Sequence, residues 1–241
     1  MVDLVKVSKT YLPDITAISD VSLSVNKGEI LFLTGKSGAG KTTLLRLLSR
    51  IEKPTKGVVE VAGCDLSKLA PGKLQKLRRS IGVAYQDFKL LEDRTVAQNI
   101  AIAMEVSYTR ASVMKMRTKK LLKELDLSSK YDTLASELSR GEQQRVTIAR
   151  ALSGNPDLIL ADEPTGNLDN ETTAMVMDLF KYYNRRGTTL LIATHDESIY
   201  RDSDHRVIEL KEGSIINGNT FPDDTVNDTA FTPEENDSAA E

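Results

Sequence analysis

The chain has 241 residues, 40% of them hydrophobic and 28% charged, with a formal charge of −3. These proportions fit an ordinary globular protein of one large domain or two small ones. They exclude a disulfide scaffold, because Cys64 stands alone and reads as a small apolar filler, and they exclude a transmembrane helix, because no apolar run approaches the roughly 18 residues one needs.

The charge is unevenly spread. Residues 220–241 hold seven acids and no Lys or Arg, which leaves +4 on residues 1–219. A mildly basic body suits a polyphosphate ligand or an anionic membrane surface, and it is too weakly basic to argue for nucleic acid. The segment from about Thr220 is acidic and short of core residues, so disorder is expected there. Met1 to Val5 lacks a basic region followed by an apolar one, so no signal peptide is expected and the cytoplasm is the expected location.

In chain order, Val2 to Val7 and Val21 to Val25 alternate and predict strands of an antiparallel edge sheet. Between them Tyr11 has two readings, a ring packed on the sheet or one exposed to stack on a base. Ile30 to Thr34 is a short apolar run of the buried-strand type. It leads into Gly35, Lys36, Ser37, Gly38, Ala39, Gly40, Lys41, Thr42 and Thr43, and a helix is predicted to open at Lys41. A strand, a glycine turn and a helix N-terminus aim several backbone N–H groups at one point, where the helix dipole also favours an anion. The spacing of Gly35, Gly40, Lys41 and Thr42 is that of a phosphate-binding loop, with Lys41 reaching the terminal phosphates and the Thr42 hydroxyl placed to ligate Mg²⁺.

Val58 to Ala62 predicts a further strand, Lys73 to Arg79 a basic helix, and Ile81 to Tyr85 a strand ending at Gln86. Gln86 either caps that turn or lines a site. Helices are predicted over 95–104 and 109–126, the second with Val113, Met116, Leu121, Leu122 and Leu125 on its buried face. The block 87–156 lies between strand-rich parts and reads as an inserted helical subdomain. Ser139 opens another helix as a good N-cap, with Glu142 at the capping-box position.

Leu158 to Ala161 reads as a central parallel strand, yet it runs into Asp162 and Glu163. Carboxylates at the carboxyl end of such a strand face the crevice where open α/β sheets bind ligands. Beside a phosphate loop the first suits Mg²⁺, and the second suits orienting or deprotonating an attacking water. Thr188 to Ala193 ends similarly near His195, and a hairpin follows around Glu212 and Gly213.

The order and spacing of the phosphate loop, Gln86, the Ser139 segment, Asp162–Glu163 and His195 resemble the nucleotide-binding subunits of ABC transporters over residues 1–219. The resemblance implies an α/β P-loop NTPase fold: a RecA-like core over 1–86 and 157–219 with an antiparallel β edge sheet, plus the helical subdomain 87–156. It implies ATP and Mg²⁺ as ligands. Tyr11 would stack on adenine, residues 35–43 with Gln86, Ser139 and Gly141 would bind ATP, and Thr42, Gln86 and Asp162 would serve the metal. Glu163 would be the catalytic base, His195 would contact the γ-phosphate, and Asp169 would sit at a homodimer seam. The Ser139 segment would close over ATP bound by the opposite subunit. Arg140 departs from the family signature, which has glycine there, and leaves the hydrolysis rate open.

Within the family, Leu33 to Lys41, Leu90 to Val96 and Gly141 to Val146 look most like the cell-division branch. That likeness implies an integral membrane partner of the FtsX kind, homodimerisation on ATP binding, peripheral association at the inner face of the cell membrane, and control of cell-wall hydrolases. The alternatives are the ATPase of a lipoprotein-releasing or macrolide-type exporter, and an ATP-gated scaffold with little hydrolysis. A DNA-maintenance ATPase is disfavoured, since no long heptad-patterned insertion separates Gln86 from Ser139.

Overall fold

The computed structural model describes residues 1–201 and 203–217. The acidic segment expected to be disordered lies outside the described residues. Strands β1 (Val2–Tyr11), β2 (Ile15–Val25), β4 (Lys56–Val61) and the two-residue β5 (Cys64–Asp65) make an antiparallel sheet in the order β2-β1-β4-β5. A second sheet has the order β10-β9-β3-β8-β7-β6, built from β3 (Ile30–Thr34), β6 (Ile81–Ala84), β7 (Leu158–Asp162), β8 (Thr189–Ala193), β9 (Arg206–Lys211) and β10 (Ser214–Asn217). All its neighbours are parallel except the β9/β10 hairpin. The helices are α1 (Lys41–Leu48), α2 (Pro71–Arg79), α3 (Val96–Glu105), α4 (Ala111–Glu124), α5 (Arg140–Ser153) and α6 (Asn170–Arg185).

The parallel strands are apolar throughout because both of their faces are covered. Side chains alternate across a strand. Thus Leu31, Leu33, Leu158, Leu160, Leu191 and Ala193 enter the core shared with α1 and the antiparallel sheet. Phe32, Ile192, Ala161 and Ala84 enter the opposite core, packed with α3, α5 and α6. Those last four are register partners from strand to strand, so the sheet delivers one continuous row to the helical side. The helices between β6 and β7 therefore pack against the sheet face itself.

Two expectations needed correction. The edge strands are longer than their alternation suggests, because β-bulges interrupt it: Lys6 and Asp20 both have φ of 48°. Serines repair the interrupted ladder, with Lys6 N–H donating to Ser22 Oγ and Asp20 N–H to Ser8 Oγ, each at 3.0 Å. In α4, Met116 does not join the buried face and is 63% exposed. The true face runs through Met114, Thr118, Leu121, Leu122 and Leu125, a spacing of three and four that places Met116 on the opposite side.

Candidate functional site

β3 ends at Thr34 on the carboxyl edge of the parallel sheet, and residues 35–40 turn the chain into α1. Gly35 and Gly40 have φ of 137° and 109°, conformations that side chains rarely adopt. Their tight surroundings are a second requirement: a Cβ at Gly35 would lie 2.2 Å from the Leu210 carbonyl oxygen, and one at Gly40 would lie 2.4 Å from that of Ala17. Gly40 is the N-cap of α1 and offers no side-chain cap, and no acid stands in the first turn. The first N–H groups of α1 are thus left for an anion. The β9/β10 turn braces the loop from behind, with Gly213 N–H donating to the Ala39 carbonyl at 3.0 Å.

The loop walls a cavity of about 490 Å³, lined by Ala17, residues 36–43, Gln86, Asp162, Glu163 and His195. Lys41 is 7% exposed; its ammonium donates to the Gly35 carbonyl at 2.6 Å and to that of Lys36 at 3.4 Å, and lies 3.7 Å from Glu163 Oε1. Asp162, the last residue of β7, is buried. Burial pushes its carboxyl above the ordinary range; a hydrogen bond with Thr42 opposes the rise, while the neighbouring Glu163 adds to it. Its Oδ1 is buried without a hydrogen-bond partner.

Glu163 is held in the left-handed region, φ 49°, its N–H donating to the Ala193 carbonyl at 2.8 Å. A non-glycine residue kept there is strained, and such strain concentrates at functional sites. Its Oε1 is 2.9 Å from His195 Nδ1, and the His195 N–H donates to Oε2 at 3.4 Å. The imidazole is otherwise 71% exposed towards the opening.

The fold therefore joins the phosphate loop, Gln86, Asp162, Glu163 and His195 around one cavity. Strand β6 stops at Ala84, two residues short of Gln86, which sits exposed on the following loop. Gly35 does not line this cavity and lines the adjoining cleft instead.

Tyr11, Ser139, Gly141 and Asp169 are not among the lining residues. Tyr11 packs under Lys9, whose ammonium is 4.7 Å from the ring centre. Ser139 is the N-cap of α5 in a complete capping box with Glu142, and Asp169 caps α6 by accepting from Thr172 N–H at 2.8 Å. The last three lie near one another on a separate surface, where Gly141 backs onto the Asn167 carbonyl. Ala17 went unnoticed in the sequence, and its place at the cavity comes from the β2 register alone.

The residues fit a divalent cation of the Mg²⁺ type. The Asp162 carboxylate keeps one buried oxygen, Oδ1, without a partner, while the Thr42 hydroxyl interacts with the same carboxylate. Among the described residues no cluster of three or more His, Cys, Asp or Glu is arranged to hold a metal, so such an ion would take its other ligands from neutral side-chain, solvent or phosphate oxygens, as Mg²⁺ prefers.

A phosphate cradle at a helix N-terminus, facing paired acids at the end of the next-but-one parallel strand, defines a P-loop nucleoside triphosphatase. Residues 18–166 match the ABC transporter family model, and the chain belongs to that family as an ATP-binding ATPase. It is 45% identical to the cell division ATP-binding protein FtsE of Mycobacterium tuberculosis, over 90% of this chain and 94% of that one. It is 41% identical to FtsE of Bacillus subtilis over 90% and 95% of the two chains. Among solved structures, the ATP-binding cassette MJ0796, captured as a dimer after hydrolysis with ADP and Pi, superposes with a TM-score of 0.86 at 35% identity, covering 91% of this chain and 98% of that one.

Proposed function

We propose that the chain is the ATP-hydrolysing subunit of an FtsE-type complex in cell division, in which two copies close around ATP and drive an integral membrane partner of the FtsX kind. Through that partner the motion controls cell-wall hydrolases. The observation that carries the reading is the convergence of Lys41, Asp162, Glu163 and His195 on one phosphate-cradling cavity, in a chain that matches FtsE proteins over about nine-tenths of its length.

In this reading the N–H groups of residues 36–43 and the Lys41 ammonium bind the phosphates. Thr42, Asp162 and Gln86 hold Mg²⁺, which neutralises the charge that develops on the phosphates. Glu163 takes a proton from the attacking water as the water's oxygen bonds to the γ-phosphorus and the bond to ADP breaks. His195 holds Glu163 through its Nδ1 and turns its other face to the γ-phosphate. Adenine stacks on Tyr11 beyond the cavity.

Ser139, Gly141 and Asp169 have no place in the cavity of their own chain, which is what a site completed by a second copy requires. Contacts made only with ATP between two copies favour the closed state, and hydrolysis removes them. Residues 1–86 and 157–219 act as the core and 87–156 as the arm that moves with the partner. No helix among the described residues is long and apolar enough to cross a membrane, so membrane association falls to the partner.

The test is phosphate release by the chain co-purified with its native membrane subunit. Mg²⁺-dependent release that Lys41→Ala abolishes supports the proposal. Release no greater than that of Lys41→Ala would replace it with an ATP-gated scaffold, and recovery of an exporter subunit in place of a division protein would replace the cell-division assignment.

A further inference from the structure

Helix α5 starts beside Ser139 and ends behind the loop that carries Gln86. Its buried face is apolar at Val146, Ile148, Ala149 and Leu152, yet Gln144 and Thr147 interrupt it at an interval of three, and the half-buried Arg150 follows three residues on. The last two end on one short stretch of backbone. Arg150 donates from Nη2 to the Phe88 carbonyl at 2.6 Å and from Nη1 to the Lys89 carbonyl at 2.7 Å. Thr147 Oγ1 lies 3.3 Å from the Phe88 carbonyl and closer, 2.9 Å, to the Gln143 carbonyl one turn back. Gln144 Nε2 makes a longer contact, 3.5 Å, with the carbonyl of Glu163.

The stretch that Arg150 grips is strained. Phe88 and Lys89 are consecutive non-glycine residues with φ of 58° and 51°, two and three residues after Gln86. Two such residues persist only where the surroundings over-determine them. The grip also has a cost: burial works against the Arg150 charge, and both of its hydrogen bonds go to carbonyls instead of a carboxylate. A planar fork with two parallel N–H directions suits two successive carbonyls, whereas an ammonium is a point charge.

We propose that Arg150, seconded by Thr147, is a positioning residue for the Gln86 loop: it fixes the left-handed pair Phe88–Lys89 to α5, so that the place of Gln86 in the cavity follows the helix that begins at Ser139. This rests on the nucleotide-site reading of Gln86 given above. The same helix touches the backbone of Glu163 through Gln144, so both loops report to one rigid element.

Hydrogen exchange on the full-length, nucleotide-free chain tests the clamp without any turnover. In Arg150→Lys the amides of residues 86–91 should exchange about tenfold faster, the loss of one charge-assisted hydrogen bond, while those of β3, β7 and β8 keep their rates. Thr147→Val should shift the same amides by a smaller factor, and it decides the matter if Arg150→Lys does not fold. Phosphate release then tests the link to Gln86. Arg150→Lys should lower turnover about tenfold in the wild-type background and by less than about twofold in Gln86→Ala, since the two act as a unit.

Unchanged exchange at 86–91, or an equal loss of turnover in both backgrounds, overturns the proposal. Phosphate release by the unmodified chain no greater than that of Lys41→Ala would instead sink the ATPase reading and leave the exchange result standing.

Discussion

Lys41 Nζ lies 3.7 Å from Glu163 Oε1, the same oxygen that meets His195 Nδ1 at 2.9 Å. The cation proposed to hold phosphate and the carboxylate proposed to activate water thus lie side by side in the cavity. Under the proposed mechanism, replacing the carboxylate removes the base and leaves the cradle intact. Glu163→Gln should bind ATP as the wild type does and lose at least about a hundredfold in phosphate release. Lys41→Ala should lose binding itself. Fluorescent-nucleotide titration and phosphate release on the two variants separate these outcomes, and a Glu163→Gln protein with normal turnover would remove Glu163 from the role of base.

Gly40 has a φ of 109° and stands against the Ala17 carbonyl, where a Cβ would come within 2.4 Å. Gly40→Ala must therefore move either β2 or the start of α1. The expected result is a loss of about 1–3 kcal/mol in stability together with loss of ATP binding. Urea unfolding monitored by circular dichroism gives the first, and the same nucleotide titration gives the second.

Asn99 is fully buried in α3 and closes the loop before it: Oδ1 accepts from Leu91 N–H at 2.8 Å, and Nδ2 donates to the Leu91 and Thr95 carbonyls at 3.0 Å each. Asn99→Leu strands those backbone groups away from water. A cost of about 2–4 kcal/mol is expected from the unfolding midpoint. A variant within about 0.5 kcal/mol of wild type would mean that the loop finds other partners.

Glu142 completes the capping box of α5 and pairs with Lys130 at 2.9 Å. Burial acts to raise its carboxyl, but the Lys130 pair and the Ser139 N–H and hydroxyl outweigh it, and the net shift is downward. A carboxyl depressed in the folded state stabilises the fold above its unfolded value, about 4.3, and that contribution fades as pH falls through the folded value. The gap in melting temperature between wild type and Glu142→Gln should therefore be full at pH 7 and shrink below about pH 4.3. A gap that widened in acid would reverse the sign of the linkage.

Thr118 occupies the buried face of α4, and its hydroxyl is buried without a hydrogen-bond partner. Thr118→Val keeps the shape and removes the stranded group, so a gain of about 0.5–2 kcal/mol is expected. Met116→Lys, on the exposed side of the same helix, should stay within about 0.5 kcal/mol of wild type. Thermal melts of the pair check both the assigned face and the unpaired hydroxyl.

Alternation was a sound guide where a strand is regular and a poor one at the bulges of β1 and β2, since an extra residue reverses the face of everything after it. In α4 the apolar residues in sequence admitted Met116 as a face member, because a long flexible side chain satisfies a pattern without being buried. The cavity itself was more legible. Residues 35–43 act through their own backbone, and Asp162 and Glu163 through their place at the end of one strand, so a few neighbouring residues suffice to mark each.

The sequence by itself determined the local units: strand, glycine turn and helix for phosphate, an apolar strand running into two acids, and the cap at Ser139. These follow from backbone sterics and hydrogen bonding between residues a few positions apart. Only the tertiary structure decided which units meet. Parallel pairing of β3, β8 and β7 brings Lys41 to Glu163 and His195, the Ala17 carbonyl closes against Gly40, and α5 fastens Arg150 to the Phe88 and Lys89 carbonyls. Those contacts join residues tens to hundreds of positions apart, and their distances depend on how the two cores pack, which no local pattern encodes.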